Sequence, residues 1–386
     1  MAKASPRSTL DSVQALRAIA AILVVLYHTA GTQKFGLAAD QTAELASLSG
    51  IWDRGYAGVD MFFVISGFIL TYVSHSYARN IQTVWRFMYA RATRIYPLWW
   101  IFAAIMPLYF LTAYGSVLPP DRTVPAESDT VYLVKSMLLW PQTIPPVLDV
   151  GWTLIYEVFF YLVFSLFLLL RRSALPALLC IWSAAILIGA HLAQGERTAS
   201  PILDLITSHL SLEFIAGAFV GLAVRYRLNI LPHIFFILGA AGFILAMLFY
   251  TDPSPTSALM GRVAVFALPC CALLYGGVML EQRRTLRIPA WCVALGNWSY
   301  ALYLAHPIVI IVLRRVSREA EQWLAPTLKP YLIYSEPGLT GNLIFSLGVI
   351  GISIWVAGLA HTYLERPLLK MTRRPVQQPG LVAASP

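Results

Sequence analysis

Apolar residues run along this chain in long stretches, broken by short polar segments that carry arginine, proline and glycine. A helix rising ~1.5 Å per residue needs about 20 such residues to cross a hydrocarbon layer ~30 Å thick. About ten segments reach that length, over 15–31, 57–74, 95–113, 150–170, 174–193, 205–224, 232–250, 261–280, 290–313 and 342–363. The pattern therefore predicts an all-α polytopic membrane protein with about ten transmembrane helices. The stretch 131–144, VYLVKSMLLWPQTI, is too short and too proline-bounded to cross. It reads as an interfacial or re-entrant piece. Lys3 and Arg7 precede the first run as in a signal peptide. That run is long, contains His28 and leads into GTQKFG rather than a small-residue cleavage site, so a retained helix is expected.

Composition strengthens this picture. Residues A, V, I, L, M, F, W, Y and C make up 58% of the 386 positions, and charged residues only 12%. A soluble globule of this size has no means of hiding so much apolar surface, and disorder requires the opposite composition. The formal charge of +9 comes without a basic face interleaved with aromatics, which argues against a nucleic-acid partner. Most of the Lys and Arg fall in alternate loops, among them Arg79, Arg86, Arg171, Arg172, Arg225, Arg227, Arg283, Arg284 and Arg287. The bias of basic residues toward the cytoplasm places that side, and both termini, inside. The loop 314–341 runs against the trend with Arg314, Arg315, Arg318 and Lys329. Residues 1–12 and 368–386 read as cytoplasmic tails around one membrane domain, 13–367, without internal repeats. Cys180, Cys270, Cys271 and Cys292 lack metal or disulfide spacing and read as packing residues.

Ionisable groups inside spans are costly and mark candidate chemistry. In LRAIAAILVVLYH, Arg17 and His28 are 11 residues apart and return to nearly one helix face, ~16 Å apart along the axis. Glu157, in VGWTLIYEVFFYLVF, lies ~12 Å from the outer surface, near the expected depth of His28. An imidazole beside that carboxylate would keep it charged and be oriented by it. Asp60 opens the second span as a helix cap or a second acidic partner, and His306 in SYALYLAHP is a further polar group of the outer half. On the basic side, Arg91 and Arg94 stand one turn apart in RFMYARATRIYPLWW, a pairing suited to phosphate. There is no phosphate-cradling glycine loop, HExxH, GxSxG or dinucleotide fingerprint.

The ordered blocks VQALRAIAAILVVLYH, GVDMFFVISGFIL, ARATRIYPLWW, VGWTLIYEVFFY, LEFIAGAFVG, LGNWSYALYLAHP and YLERPLLK together resemble membrane acyltransferase family 3. Within it they resemble the ExoZ-type exopolysaccharide O-acetyltransferases, over about residues 12 to 370. The resemblance implies a multi-pass enzyme of the bacterial inner membrane that moves an acyl group from cytoplasmic acyl-CoA, acetyl-CoA first, to an envelope carbohydrate, without a metal. It carries Arg17 and His28 over as an essential pair, Arg91 and Arg94 as acyl-CoA contacts, and Glu157 as the acidic residue of the Tyr-Glu block. Ile155 departs from the small polar residue many relatives have there. No appended hydrolase-like domain is expected, so the chemistry falls to the membrane domain. The expected mechanism docks the donor's phosphates on Arg91, Arg94 and Arg17 and has His28 as general base on a sugar hydroxyl, with Glu157 or Asp60 holding its tautomer, or His28 as a covalent acyl carrier. Tyr156, Trp152, His306 and Tyr303 are weaker candidates for substrate contact. The rival readings are an acyltransferase for a small secondary metabolite such as a macrolide sugar, and a polysaccharide or lipid transporter.

Overall fold

The computed structural model describes residues 10–34, 51–118, 128–192, 200–251, 258–325, 327 and 339–372. The described residues form helices joined by turns, without strands. The tails beyond residues 10 and 372 lie outside the described residues, as does Lys329. In chain order the helices are α1 (Asp11–Lys34), α2 (Ala57–Ser74), α3 (Ile81–Tyr114), α4 (Asp129–Leu138), α5 (Gly151–Phe167) and α6 (Leu175–Leu192). There follow α7 (Pro201–Ile206), α8 (Ser211–Arg225), α9 (Pro232–Phe249), α10 (Ala258–Gln282), α11 (Ala290–Glu321), α12 (Leu339–Ala360) and α13 (Arg366–Thr372). A π-turn, His361–Glu365, joins the last two.

Among the described residues, nine helical segments are long and apolar enough to cross a membrane, with α7 and α8 forming one of them. α5, with 17 residues, is the shorter apolar helix. Packing geometry settles its status. Gly296 of α11 sits against the Gln14 backbone of α1, while Ser299 meets Arg17 and His306 meets His28 further along, so α1 and α11 run parallel. Gly217 of α8 abuts Val64 of α2 and Gly221 abuts Phe68, so these two helices are parallel as well. Two spans of one chain run parallel only if an odd number of crossings separates them. Both parallel pairs meet that condition when α5 is counted as a crossing, and both break it when α5 is left out. Ten spans result, as the hydropathy pattern predicts. The interfacial stretch resolves into α4 and a following turn, with Ser128 capping the helix and Leu139 closing it in the left-handed region.

Close approach is built from small residues, the usual device where lipid removes the hydrophobic drive between helices. A Cβ placed on Gly67 would lie 1.8 Å from the Phe214 carbonyl oxygen, and one on Gly217 1.9 Å from that of Val64. The pattern G-A-F-V-G over residues 217–221 is what lets α2 and α8 touch backbone to backbone. α1 packs on α2, α10, α11 and α12, whereas α5 packs on α2, α3 and α8. This arrangement decides which polar side chains meet.

Candidate active site

A cavity opens between α1, α2, α3, α5 and α11. Its polar lining is Arg17, Ser66, Arg91, Arg94, Thr153, Glu157, Tyr161, Ser299, Tyr300 and Tyr303, set in apolar walls from α2. Arg17, Arg91 and Arg94, assigned together from sequence, thus converge on one space.

Each guanidinium has a different environment. Arg17 donates from Nε to Ser299 Oγ at 3.1 Å, a contact that follows from the parallel register of α1 and α11. Arg94 is paired with Glu365 through Nη1 and lies 5.5 Å over the Tyr300 ring. Glu365, only 2% exposed, is also 2.8 Å from His361 Nδ1, one turn earlier in the π-turn. Arg91 lies over the rings of Phe87 and Tyr161, at 5.6 and 5.7 Å, and its Nε has no partner among the described residues. Among the described residues, Arg17 and Arg91 are therefore the cavity guanidiniums not paired with a carboxylate, which suits them to an anionic ligand.

Glu157 lines the same cavity rather than joining His28. Ser66 Oγ donates to its Oε1 at 3.1 Å, and Tyr161, four residues on, donates from its hydroxyl to the same oxygen. Its charge acts on Arg17, Tyr300 and Tyr303. The expected His28–Glu157 contact is absent: α1 and α5 are not packing neighbours, and Glu157 shares its cavity with Arg17, three turns before His28 on α1. Asp60 does not hold His28 either. It is completely buried and forked by Arg262 of α10, with Nε and Nη2 at 2.9 and 2.8 Å from its two oxygens. That guanidinium rests 4.4 Å over the Tyr56 ring, and Glu213 of α8 contributes a further buried carboxyl to the cluster.

The partner of His28 is His306. Its Nε2 lies 3.3 Å from His28 Nδ1, with the rings 5.0 Å apart. The acidic residue whose charge reaches His28 is Asp149, just before α5. Tyr303 links the two parts of the site. Its hydroxyl is shared with Thr153 Oγ1 at 2.7 Å and donates to the Val150 carbonyl, while its ring packs 5.9 Å from His306 at the end of the cavity. Tyr300, Tyr303 and His306 recur every three residues, so one face of α11 carries all three. Trp152 and Tyr156 pack edge to face at 5.8 Å and are not among the lining residues.

The chemistry missed from sequence is Ser66, Tyr161, Ser299, Tyr300 and Glu365. Tyr161 carried a signal, since a tyrosine four residues after a buried glutamate shares its face. Among the described residues, no three His, Cys, Asp or Glu side chains gather as a metal site.

Comparison with known proteins gives the family. The chain is 30% identical over 329 residues to the exopolysaccharide production protein ExoZ of Rhizobium meliloti (strain 1021), covering 83% of this chain and 91% of that one. It is 26% identical over 395 residues to the acyltransferase MdmB of Streptomyces mycarofaciens, covering 95% and 94%. No solved structure matches. The acyltransferase domain of family 3 matches residues 10–361, nearly the whole described length, and the chain, a multi-pass membrane acyltransferase, belongs to that family.

Proposed function

We propose that the protein transfers an acyl group, acetyl in the first instance, from cytoplasmic acyl-CoA to a hydroxyl of an exopolysaccharide or another envelope carbohydrate, in the bacterial inner membrane. The observation that carries this reading is adjacency. Arginines line one cavity, and Tyr303 of its wall packs against His306, the partner of His28, although neither histidine lines the cavity itself. The likeness to ExoZ supports the carbohydrate acceptor.

In this mechanism Arg17 and Arg91 bind the donor's phosphates, and Arg94, tied to Glu365, shapes the wall beside them. Glu157, held by Ser66 and Tyr161, balances the charge of the arginines while the cavity is empty of donor. His28 Nε2 takes the proton of the acceptor hydroxyl as its oxygen attacks the thioester carbon. The carbon–sulfur bond breaks, and His28 returns the proton to the departing thiolate, so no net proton is consumed. Positioning alone supplies much of the rate in such a transfer, since the two reactants are held together out of water.

The test is transfer of radiolabelled acetyl from acetyl-CoA to a panel of envelope glycans by the purified protein in nanodiscs. His28→Ala should lose turnover by at least about a hundredfold while binding a CoA analogue normally. Arg91→Ala with Arg94→Ala should weaken the analogue by about tenfold or more. Turnover retained in His28→Ala, or analogue affinity unchanged in the double variant, would overturn the assignment.

A further inference from the structure

We infer that His306 is a positioning residue that, together with the Val24 carbonyl, holds the proton of His28 on Nδ1, leaving Nε2 as its basic nitrogen. The inference rests on His28 being the base of the acyl transfer. Two carbonyls decide the proton positions, because a carbonyl oxygen only accepts. His28 Nδ1 is 2.9 Å from the Val24 oxygen and therefore carries hydrogen. His306 Nδ1 is 3.1 Å from the Leu302 oxygen and carries hydrogen for the same reason. His306 Nε2 is then bare, and it faces His28 Nδ1–H at 3.3 Å as an acceptor. The opposite tautomer of either ring would set two N–H groups or two lone pairs against each other. His28 Nε2 has no partner among the described residues.

The surroundings suit this role. His306 is completely buried, immediately before Pro307, with Tyr303 at its edge. The other groups facing His28 are the Tyr27 ring, edge-on at 5.1 Å, and the more distant Asp149 charge. No carboxylate hydrogen bonds either ring among the described residues. A neutral imidazole here does what a buried carboxylate does in the familiar hydrolase triads, orienting the base and accepting its second N–H, without placing another charge in the membrane. When Nε2 takes the hydroxyl proton, the imidazolium charge is met by the Val24 oxygen and the His306 lone pair together.

Two substitutions separate positioning from packing. The glutamine amide in His306→Gln reaches the place of Nε2 and can accept from His28. The shorter amide in His306→Asn reaches only the place of Nδ1 and keeps the Leu302 bond alone. His306→Asn should lower kcat about a hundredfold, with KM for donor and acceptor within about twofold, and His306→Gln should recover at least about tenfold of that loss. With ¹⁵N-histidine label, the His28 signal, identified by its loss in His28→Ala, should show a single Nδ1–H tautomer in the wild type and a mixture in His306→Asn. An unchanged tautomer or unchanged kcat in His306→Asn would overturn the inference. A raised acceptor KM at constant kcat would also overturn it, making His306 a substrate contact instead. His28→Ala separates the two readings. Turnover in that variant removes the base itself, whereas a dead His28→Ala beside an active His306→Asn removes only the role of His306.

Discussion

Asp60 and Arg262 show how costly a single side chain is in this environment. The carboxylate is fully buried and its counter-charge is 13% exposed, so neither has water to fall back on. Removing one member of such a pair leaves the other uncompensated, at a cost of about 3–5 kcal/mol. Asp60→Ala should therefore lower the thermal midpoint in detergent markedly, and adding Arg262→Ala should restore part of it. Asp60→Asn keeps an acceptor for the fork and should sit between the two. If Asp60→Ala melts like the wild type, the pair is not a structural clamp. At this scale the sequence was half legible. Expense alone picked out Arg17, His28, Asp60, Glu157 and His306 as residues needing partners. Depth counted from the span ends then joined His28 to Glu157, whereas the carboxylate falls in the cavity beside Arg17, because a single sequence fixes neither how far each helix slides along its neighbours nor their order around the bundle. The partner of Asp60 was missed for a related reason, since Arg262 lies 202 residues further along the chain, beyond the reach of any local pattern.

Helices were more legible than contacts. Each of the ten apolar segments falls on a helix, and the bounds differ mainly where polar residues extend it, as with α3 running from Ile81 and α11 to Glu321. Hydropathy has no access to those extensions, since charged side chains such as Arg91, Arg94 and Arg318 interrupt the apolar run while the backbone continues to wind. What holds the elements at their spacing is the glycine contact between α2 and α8. Gly217→Ala should destabilise the protein by about 1–3 kcal/mol through forced separation of the two helices. Gly348→Ala, at a position with nothing within 4 Å, should leave it unaffected. Equal melting of the two variants would show that the close approach is not what sets the α2–α8 distance.

For the whole molecule, the parallel pairs require α5 to cross, although it is shorter than its neighbours. At ~1.5 Å per residue its 17 residues span ~25 Å, enough with the flanking turns 148–150 and 168–170. In a cysteine-free background, Asp149→Cys and Arg171→Cys should react with an impermeant maleimide from opposite faces, Arg171→Cys from the cytoplasmic one. Labelling of both from one face would break the ten-span topology and the parallel register of α1 and α11 with it.

That register has a consequence for biosynthesis. Arg17 meets a serine 282 residues further along, and His28 an imidazole 278 residues away. While the ribosome is still making the middle of the chain, the first helix already sits in the bilayer with two polar side chains whose eventual companions have yet to be translated. An insertase or a transient neighbour must shelter them over that interval. Nascent chains halted before Leu302 should accordingly integrate yet stay inert, with the histidine couple completed only after α11 has entered the membrane.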